Sequence, residues 1–320
     1  MRKIKCAVIG VGYLGRFHAQ KYQQLDNVEL VGVCDPNAPA SKAVSNELNV
    51  PGFVNYRDLF GHVDAVSIAA TTKAHFTIAK ECIQQGIHVL IEKPITETVA
   101  QAEELIALAA AHQVKVQVGH LERFNAARLA LDPYLDKPLF IESHRLAPYN
   151  PRGADVNVIL DLMIHDIDII QTIVHSPIKH IEAQGAPILS SSIDIANARI
   201  TFENHCVANV TASRISFKTE RKTRIFQADT YISIDYQEKQ FAVFQKGTGE
   251  MFPGIPDITR HQSVIEKGDA LLEEIKSFIQ CIVNNTEPLV TGQEGCDALA
   301  TAEKITTLID SNLLARNATC

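Results

Sequence analysis

The stretch Ile4-Lys5-Cys6-Ala7-Val8-Ile9-Gly10-Val11-Gly12-Tyr13-Leu14-Gly15 decides the fold. Its first six residues form an apolar run of strand length, and the residues after it read as helix, so the G-x-G-x-x-G pattern sits at a strand-to-helix turn. Gly10 suits a tight turn, Gly12 lets the backbone approach a pyrophosphate, and Gly15 permits close packing of helix on strand. The unpaired N–H groups at the helix start, around Tyr13 and Leu14, face the phosphates. A second apolar run, Val28 to Cys34, ends in Asp35, about twenty residues beyond Gly15, where a dinucleotide fold places the carboxylate that holds the adenosine ribose. An ordinary strand-turn-helix with glycines is the other reading of the first run alone.

Asp35 also bears on which dinucleotide binds. A carboxylate there accepts from the ribose 2'-hydroxyl and repels a 2'-phosphate, and the following Pro36-Asn37-Ala38-Pro39 has no arginine to hold one. NAD is therefore expected over NADP. Asp-Pro also reads as a turn or N-cap before the next helix, and the relative affinity for the two cofactors separates these readings.

The 320 residues exceed what one core usually holds, which predicts two domains, 1–120 and 121–320. A net charge of -7 gives no basic footprint for nucleic acid, and Arg221-Lys222-Thr223-Arg224 is a short cluster suited to a solvated turn. The seven cysteines are scattered with no C-x-x-C pair, the pattern of reduced core thiols in a cytoplasmic protein. The first strand starts within a few residues of Met1, which predicts no secretion signal, and no long uncharged apolar stretch suggests a membrane span.

From Ile4 to Val118 strands and helices alternate with short connections, the pattern of a doubly wound parallel sheet. Strands are expected at Ile4–Ile9, Val28–Cys34, Phe53–Val54, Ala65–Ala70, His88–Ile91 and Val114–Val118. Helices are expected from Tyr13 to about Leu25, Ala40 to Leu48, Ala74 to Gln85 and Thr98 to His112, with Thr98 as a cap. Beyond Leu139 the pattern changes to β-rich runs at Phe140–Leu146, Ile195–Phe202, Val207–Ser213, Arg224–Ala228, Tyr231–Tyr236 and Phe241–Gln245. Helices fall at about Val158–Val174, Ala270–Val283 and Glu294–Leu314. The fold class is therefore α/β: an N-terminal Rossmann domain and a C-terminal α+β domain with an open, mostly antiparallel sheet, one face on helices and the other available to a partner subunit.

Two segments carry chemistry. Glu92-Lys93-Pro94 follows a strand of the parallel sheet, the end at which ligands bind. Lys93 is then either a surface residue opening a loop or a cation that polarises a substrate hydroxyl, and Pro94 restricts the backbone in favour of the second. In the second segment Asn157, Asp161, His165 and Asp168 share one helical face at spacings of four, four and three, opposite Leu160, Met163, Ile164, Ile167 and Ile170. The polar side is a solvated face or a buried polar wall. The lack of Lys, Arg and Glu favours the wall. Histidine is the side chain intrinsically suited to proton transfer near neutral pH, which makes His165 a candidate, and Asp161 is placed to orient it or to bind a hydroxyl. A single Asp–His pair offers too few donors for a closed metal site, so no metal is expected, and no G-x-S-x-G or P-loop is present.

With Gly10 to Gly15, Asp35, Glu92-Lys93-Pro94 and Asp161 to Asp168, the chain resembles the glucose-fructose oxidoreductase / inositol dehydrogenase / MocA family of NAD(P)-dependent oxidoreductases over nearly its whole length. The resemblance implies a homo-oligomer, dimer or tetramer, formed through the C-terminal sheet, with a sugar or cyclitol bound between the domains. It assigns catalysis to Lys93, Asp161 and His165, and adds Thr71, His75, Glu92 and Lys93 itself to the cofactor contacts, although Thr72-Lys73 stands where many relatives have Pro-Asn. His120 to Asn125, Arg145 to Tyr149, Arg152 and Asp155 to Val158 resemble a nucleotide-sugar branch that oxidises C3 of a UDP-linked N-acetylamino sugar. Arg145, Arg152 and Asn157 are then candidate substrate contacts, the arginines suited to a diphosphate. Each arginine is equally readable as a surface or ion-pair residue. A free sugar, cyclitol or polyol is the alternative substrate class, and a non-catalytic NAD-binding sensor or scaffold the alternative function.

Overall fold

The computed structural model of the chain describes residues 2–150, 156–265 and 268–318, without the side chains of 316–318. It divides into two compact units, Met1–Phe124 with Asp269–Leu299, and Asn125–Gly268 with Ala300–Cys320.

The first unit contains β1 (Ile4–Ile9), α1 (Tyr13–Tyr22), β2 (Val28–Cys34), α2 (Ala38–Leu48), β3 (Gly52–Phe53), β4 (Ala65–Ile68), α3 (Thr72–Gln84), β5 (His88–Glu92), α4 (Val99–His112) and β6 (Val116–Gly119). All six strands are parallel in the order β3-β2-β1-β4-β5-β6. Strand order reverses between β1 and β4, and their carboxyl ends, Ile9 and Ile68, open the crevice where such sheets bind ligands. The strands read as continuous apolar runs because both faces are covered: Ala65, Val66, Ser67 and Ile68 are all buried. The helix starts follow local chemistry. Asn37 Oδ1 accepts from Ala40 N at 3.3 Å to cap α2, and Thr98 Oγ1 accepts from Gln101 N at 3.4 Å to cap α4.

The second unit contains α5 (Ala126–Leu129), β7 (Pro138–Leu146), a π turn (Ile159–Met163) leading into α6 (Ile164–Val174), β8 (Ile178–Ala186), β9 (Ile195–Phe202), β10 (Val207–Ser213), β11 (Glu220–Gln227), β12 (Thr230–Asp235), β13 (Gln240–Phe252) and β14 (Ile255–Val264). Its sheet runs β14-β13-β12-β11-β7-β10-β9-β8, antiparallel except for the β7–β10 pair. Along β9 and β10 the pleat sends Ala196, Ala198, Ile200, Phe202, Ala208, Val210 and Ala212 inward. The opposite face is polar: Arg199 donates to Asn209 Oδ1 at 3.1 Å and Asn197 to Thr211 Oγ1 at 2.9 Å. Strands β8 and β14 carry no clear apolar alternation and escape the sequence reading. In β14, Thr259, Arg260, His261 and Gln262 are consecutive and exposed.

Two further helices, α7 (Ala270–Asn284) and α8 (Gly292–Ala318), follow. The chain division read at 120/121 differs here, because Asp269–Leu299 clusters with the first unit. Ile275, Phe278 and Ile279 of α7 share a core with Cys6, Tyr22 and Leu90. Amphipathic spacing shows that α7 buries a face, and it is silent on which sheet receives it. Among the described residues the six cysteines are buried free thiols, and no helix is long and apolar enough to cross a membrane.

Candidate active site: the dinucleotide cradle and the polar helix

The glycine turn is shaped by what a side chain would strike. Gly10 has φ +85°, and a Cβ there would lie 2.5 Å from Ala70 N, while a Cβ on Gly15 would lie 1.8 Å from Gly10 O. Gly12 differs. Nothing lies within 4 Å of its Cβ position, so the space above it is open for a ligand. Gly12 is also the N-cap of α1 and offers no side chain to the first-turn N–H groups. Those groups, beside the exposed Tyr13 and Leu14, stand as donors for a pyrophosphate. Asp35 closes the other end of the turn. Its Oδ2 accepts from Val11 N and its Oδ1 from Asn37 N, both at 2.9 Å. Each oxygen keeps a lone pair for a ribose hydroxyl. An open backbone cradle and an oriented carboxylate fit a dinucleotide, and no arginine stands between Asp35 and Ser41 to receive a 2'-phosphate.

The loops after β4 and β5 are tied together by His75. The ring is buried, with Nδ1 3.0 Å from Pro94 O and Nε2 3.0 Å from Ala70 O. Burial pushes its pKa down, against the two carbonyls, and a neutral ring has one N–H to give. His75 thus supports the loop that begins at Thr71, the N-cap of α3. Lys93 is half-buried at the end of β5, and the Lys93–Pro94 peptide is cis. Glu92 turns toward the protein, where its Oε1 accepts from His18 Nε2 at 2.9 Å and its Oε2 from Lys93 N at 3.3 Å.

In the second unit the polar helix departs from the expected stripe. The π turn Ile159–Met163 adds a residue to the turn, so the run from Asn157 to Asp168 does not keep an α-helical line; such widened turns are frequent at functional sites. Asp161 and His165 are half-buried, and Asp166 and Asp168 are buried. Asn157, a candidate substrate contact, holds the helix start: its Oδ1 accepts from Leu160 N at 2.9 Å and its Nδ2 donates to Thr306 Oγ1 at 3.3 Å. Of the two readings left open for Arg145, diphosphate contact or ion pair, the structure shows an ion pair. The Arg145 guanidinium is buried and donates to both oxygens of Asp166, from Nε at 2.8 Å and from an η nitrogen at 3.2 Å. This fork commits two of the five guanidinium N–H groups to a carboxylate. Arg152 and Asp155 lie outside the described residues.

Two residues of this unit went unread in the sequence. Asp166 belongs to the quoted stretch and to neither of its assigned faces, and Asp194 sits between strands with no motif around it. Their signal is their separation from their partners, since Asp166 pairs with Arg145 and Asp194 with Arg214 across about twenty residues of chain.

Residues 4–120 match the family described as an oxidoreductase family with an NAD-binding Rossmann fold, and residues 135–232 match the GFO/IDH/MocA C-terminal domain. The chain belongs to the GFO/IDH/MocA family. A UDP-N-acetylglucosamine 3-dehydrogenase of Acidithiobacillus ferrooxidans is 36% identical over 314 residues, covering 98% of this chain and 99% of that protein. A solved structure of the same name and organism matches with a TM-score of 0.92 at 36% identity, covering 97% of this chain and 99% of that one. A scyllo-inositol dehydrogenase from Lactobacillus casei, solved with NAD(H) and scyllo-inositol, matches in fold alone, with a TM-score of 0.79 at 20% identity over 97% of this chain and 98% of that one. As a GFO/IDH/MocA member this protein is an NAD-dependent oxidoreductase that acts on CH–OH groups.

Proposed function

We propose that this enzyme oxidises the C3 hydroxyl of a UDP-linked N-acetylamino sugar to a ketone. The observation that carries the reading is the identity of 36% along 98% of the chain to a UDP-N-acetylglucosamine 3-dehydrogenase. NAD, when bound on the Gly10–Gly15 cradle, supplies the acceptor for the hydride that leaves carbon. In our reading His165 takes the hydroxyl proton and Asp161 orients the imidazole or the sugar. The Lys93 ammonium stabilises negative charge that develops on the same oxygen. Thr71, Tyr13 and Leu14 line the cofactor, and Arg152 remains a candidate for the diphosphate. Self-association through the C-terminal sheet, as dimer or tetramer, is part of this reading, and the buried free thiols suit a cytoplasmic enzyme.

Initial rates of NADH formation with UDP-N-acetylglucosamine, N-acetylglucosamine, inositols and linear polyols test the substrate class. The proposal expects turnover of the UDP-sugar above all others, and faster turnover of a free sugar or cyclitol overturns it. Lys93→Ala and His165→Ala are expected to lower kcat by about 10²–10⁴-fold with NAD affinity retained. Near-normal kcat in either variant removes that residue from the mechanism.

A further inference from the structure

Glu274 of α7 is fully buried, and neither of its carboxyl oxygens has a hydrogen-bond partner. His18 of α1 and Glu92 of β5 face it, with one polar atom from each of the three residues within 4.8 Å of the others. The two carboxyls are treated unequally. Glu92 receives His18 Nε2 at 2.9 Å and Lys93 N at 3.3 Å. His18 is fixed from behind, since its Nδ1 lies 3.2 Å from Ser67 Oγ, which in turn lies 2.8 Å from the Tyr22 hydroxyl. An ionised carboxylate only accepts, so the proton of His18 sits on Nε2, pointing at Glu92.

Other groups on the elements around α7 are engaged elsewhere or neutral. Lys21 of α1 pairs with Asp269 at 2.7 Å, and Arg123 of the turn Leu121–Phe124 pairs with Glu294 at 2.5 Å. Glu122 of that turn is buried too. Burial raises the pKa of Tyr22 and of Cys6 on β1, which keeps both protonated. The cost of a second anion therefore falls on Glu274.

We propose that Glu274 keeps its proton through the neutral pH range and, as the neutral member of a pair with Glu92, is a positioning residue for Lys93. Burial and the neighbouring Glu92 charge both push the Glu274 pKa well up. Burial opposes the charge of Glu92 as well, and there the His18 hydrogen bond and the charge of Lys93 win, holding its carboxyl below the usual range. Glu92 thus stays an anion that grips the backbone N–H of Lys93, and ionisation of Glu274 would set two like charges against each other at the strand end that carries the lysine. The catalytic consequence rests on the reading of Lys93 given above.

Infrared spectra of the wild-type protein against Glu274→Gln read the proton directly. The proposal expects a protonated-carboxyl carbonyl band at about pH 7 that the variant lacks. Melting temperatures read it by linkage. A carboxyl with a raised folded pKa stabilises fully below its unfolded pKa and loses that stability as pH rises. Glu274→Gln should therefore melt with the wild type near pH 5 and increasingly above it toward about pH 9. An alkaline fall in wild-type kcat that follows loss of the band, and is absent from the glutamine variant, ties the proton to Lys93. Absence of the band, a melting difference independent of pH, or one tightly bound metal ion per chain by elemental analysis overturns the proposal. If the variant does not fold, the wild-type band and its loss on alkaline titration decide. Normal kcat in Lys93→Ala would defeat the reading of Lys93 while leaving the band and the melting curves as expected.

Discussion

Arg145 on β7 and Asp166 on α6 meet as a buried fork, with Nε 2.8 Å from Oδ2 and an η nitrogen 3.2 Å from Oδ1. Ser143 Oγ adds a third donor to Asp166 at 3.0 Å. The pair pins the helix bearing His165 to the sheet of its own unit. Removing one partner strands a buried charge, so Asp166→Ala should cost about 3–5 kcal/mol of unfolding free energy. The double variant Arg145→Met/Asp166→Leu should recover most of it. Denaturant unfolding of the wild type, Arg145→Met, Asp166→Leu and the double variant measures the coupling, and additive losses would mean that the two side chains do not act as a pair.

Asp35 should decide cofactor choice. Replacing it with serine removes the charge that repels a 2'-phosphate while leaving an oxygen for the hydrogen bond from Val11 N. We expect Asp35→Ser to raise kcat/KM with NADP by about tenfold, a difference of about 1.4 kcal/mol, and to lower it with NAD. Parallel kinetics with both cofactors check this, and an unchanged ratio would reassign Asp35 to the turn alone.

The turn glycines should separate folding from binding. A Cβ at Gly15 overlaps Gly10 O at 1.8 Å, so Gly15→Ala should destabilise the fold by about 1–3 kcal/mol or more. A Cβ at Gly12 meets nothing within 4 Å, so Gly12→Ala should melt with the wild type yet bind NAD weakly. Melting curves and NAD titrations of the two variants give the comparison. Tight NAD binding by Gly12→Ala would place the pyrophosphate elsewhere.

Asp194 should make the second unit sensitive to acid. Its Oδ2 accepts from the backbone N–H groups of Ile188, Leu189 and Ser190 at 2.8, 2.6 and 2.9 Å, and its Oδ1 from Arg214 Nε at 2.8 Å. Burial works against the carboxylate, but these donors prevail and hold its pKa well below the usual range. A depressed folded pKa means that the stabilisation is present above the unfolded value and drains away as pH falls through the folded one. Asp194→Asn should therefore be less stable than wild type at about pH 7, by a few kcal/mol, with the gap closing below about pH 4. Thermal melts across that range test the sign, and a gap that widens in acid would contradict it.

The parallel unit was legible because its determinants are local. A strand run, a glycine turn, a capped helix and an acidic strand end are each specified within a few residues, and right-handed crossovers then leave little freedom in strand order. The Thr98 cap and the glycines Gly10 and Gly15 do in space what their spacing implied. Strand β14 was not legible, since a two-sided polar strand has no apolar period to detect. Arg145 could be read as an anion ligand or as half of an ion pair, and only its distance to Asp166 distinguishes the two.

By itself the amino-acid sequence determined the Rossmann turn with an acidic residue after its second strand, and the change to an antiparallel sheet. Tertiary structure decided that α7 returns to complete the first unit, that Arg145 is occupied by Asp166, and that Glu274 lies unpaired beside Glu92. The division has a physical cause: backbone propensity and periodicity act over a few residues, whereas the partner of a buried face or a buried charge is fixed only when distant segments pack and water is excluded.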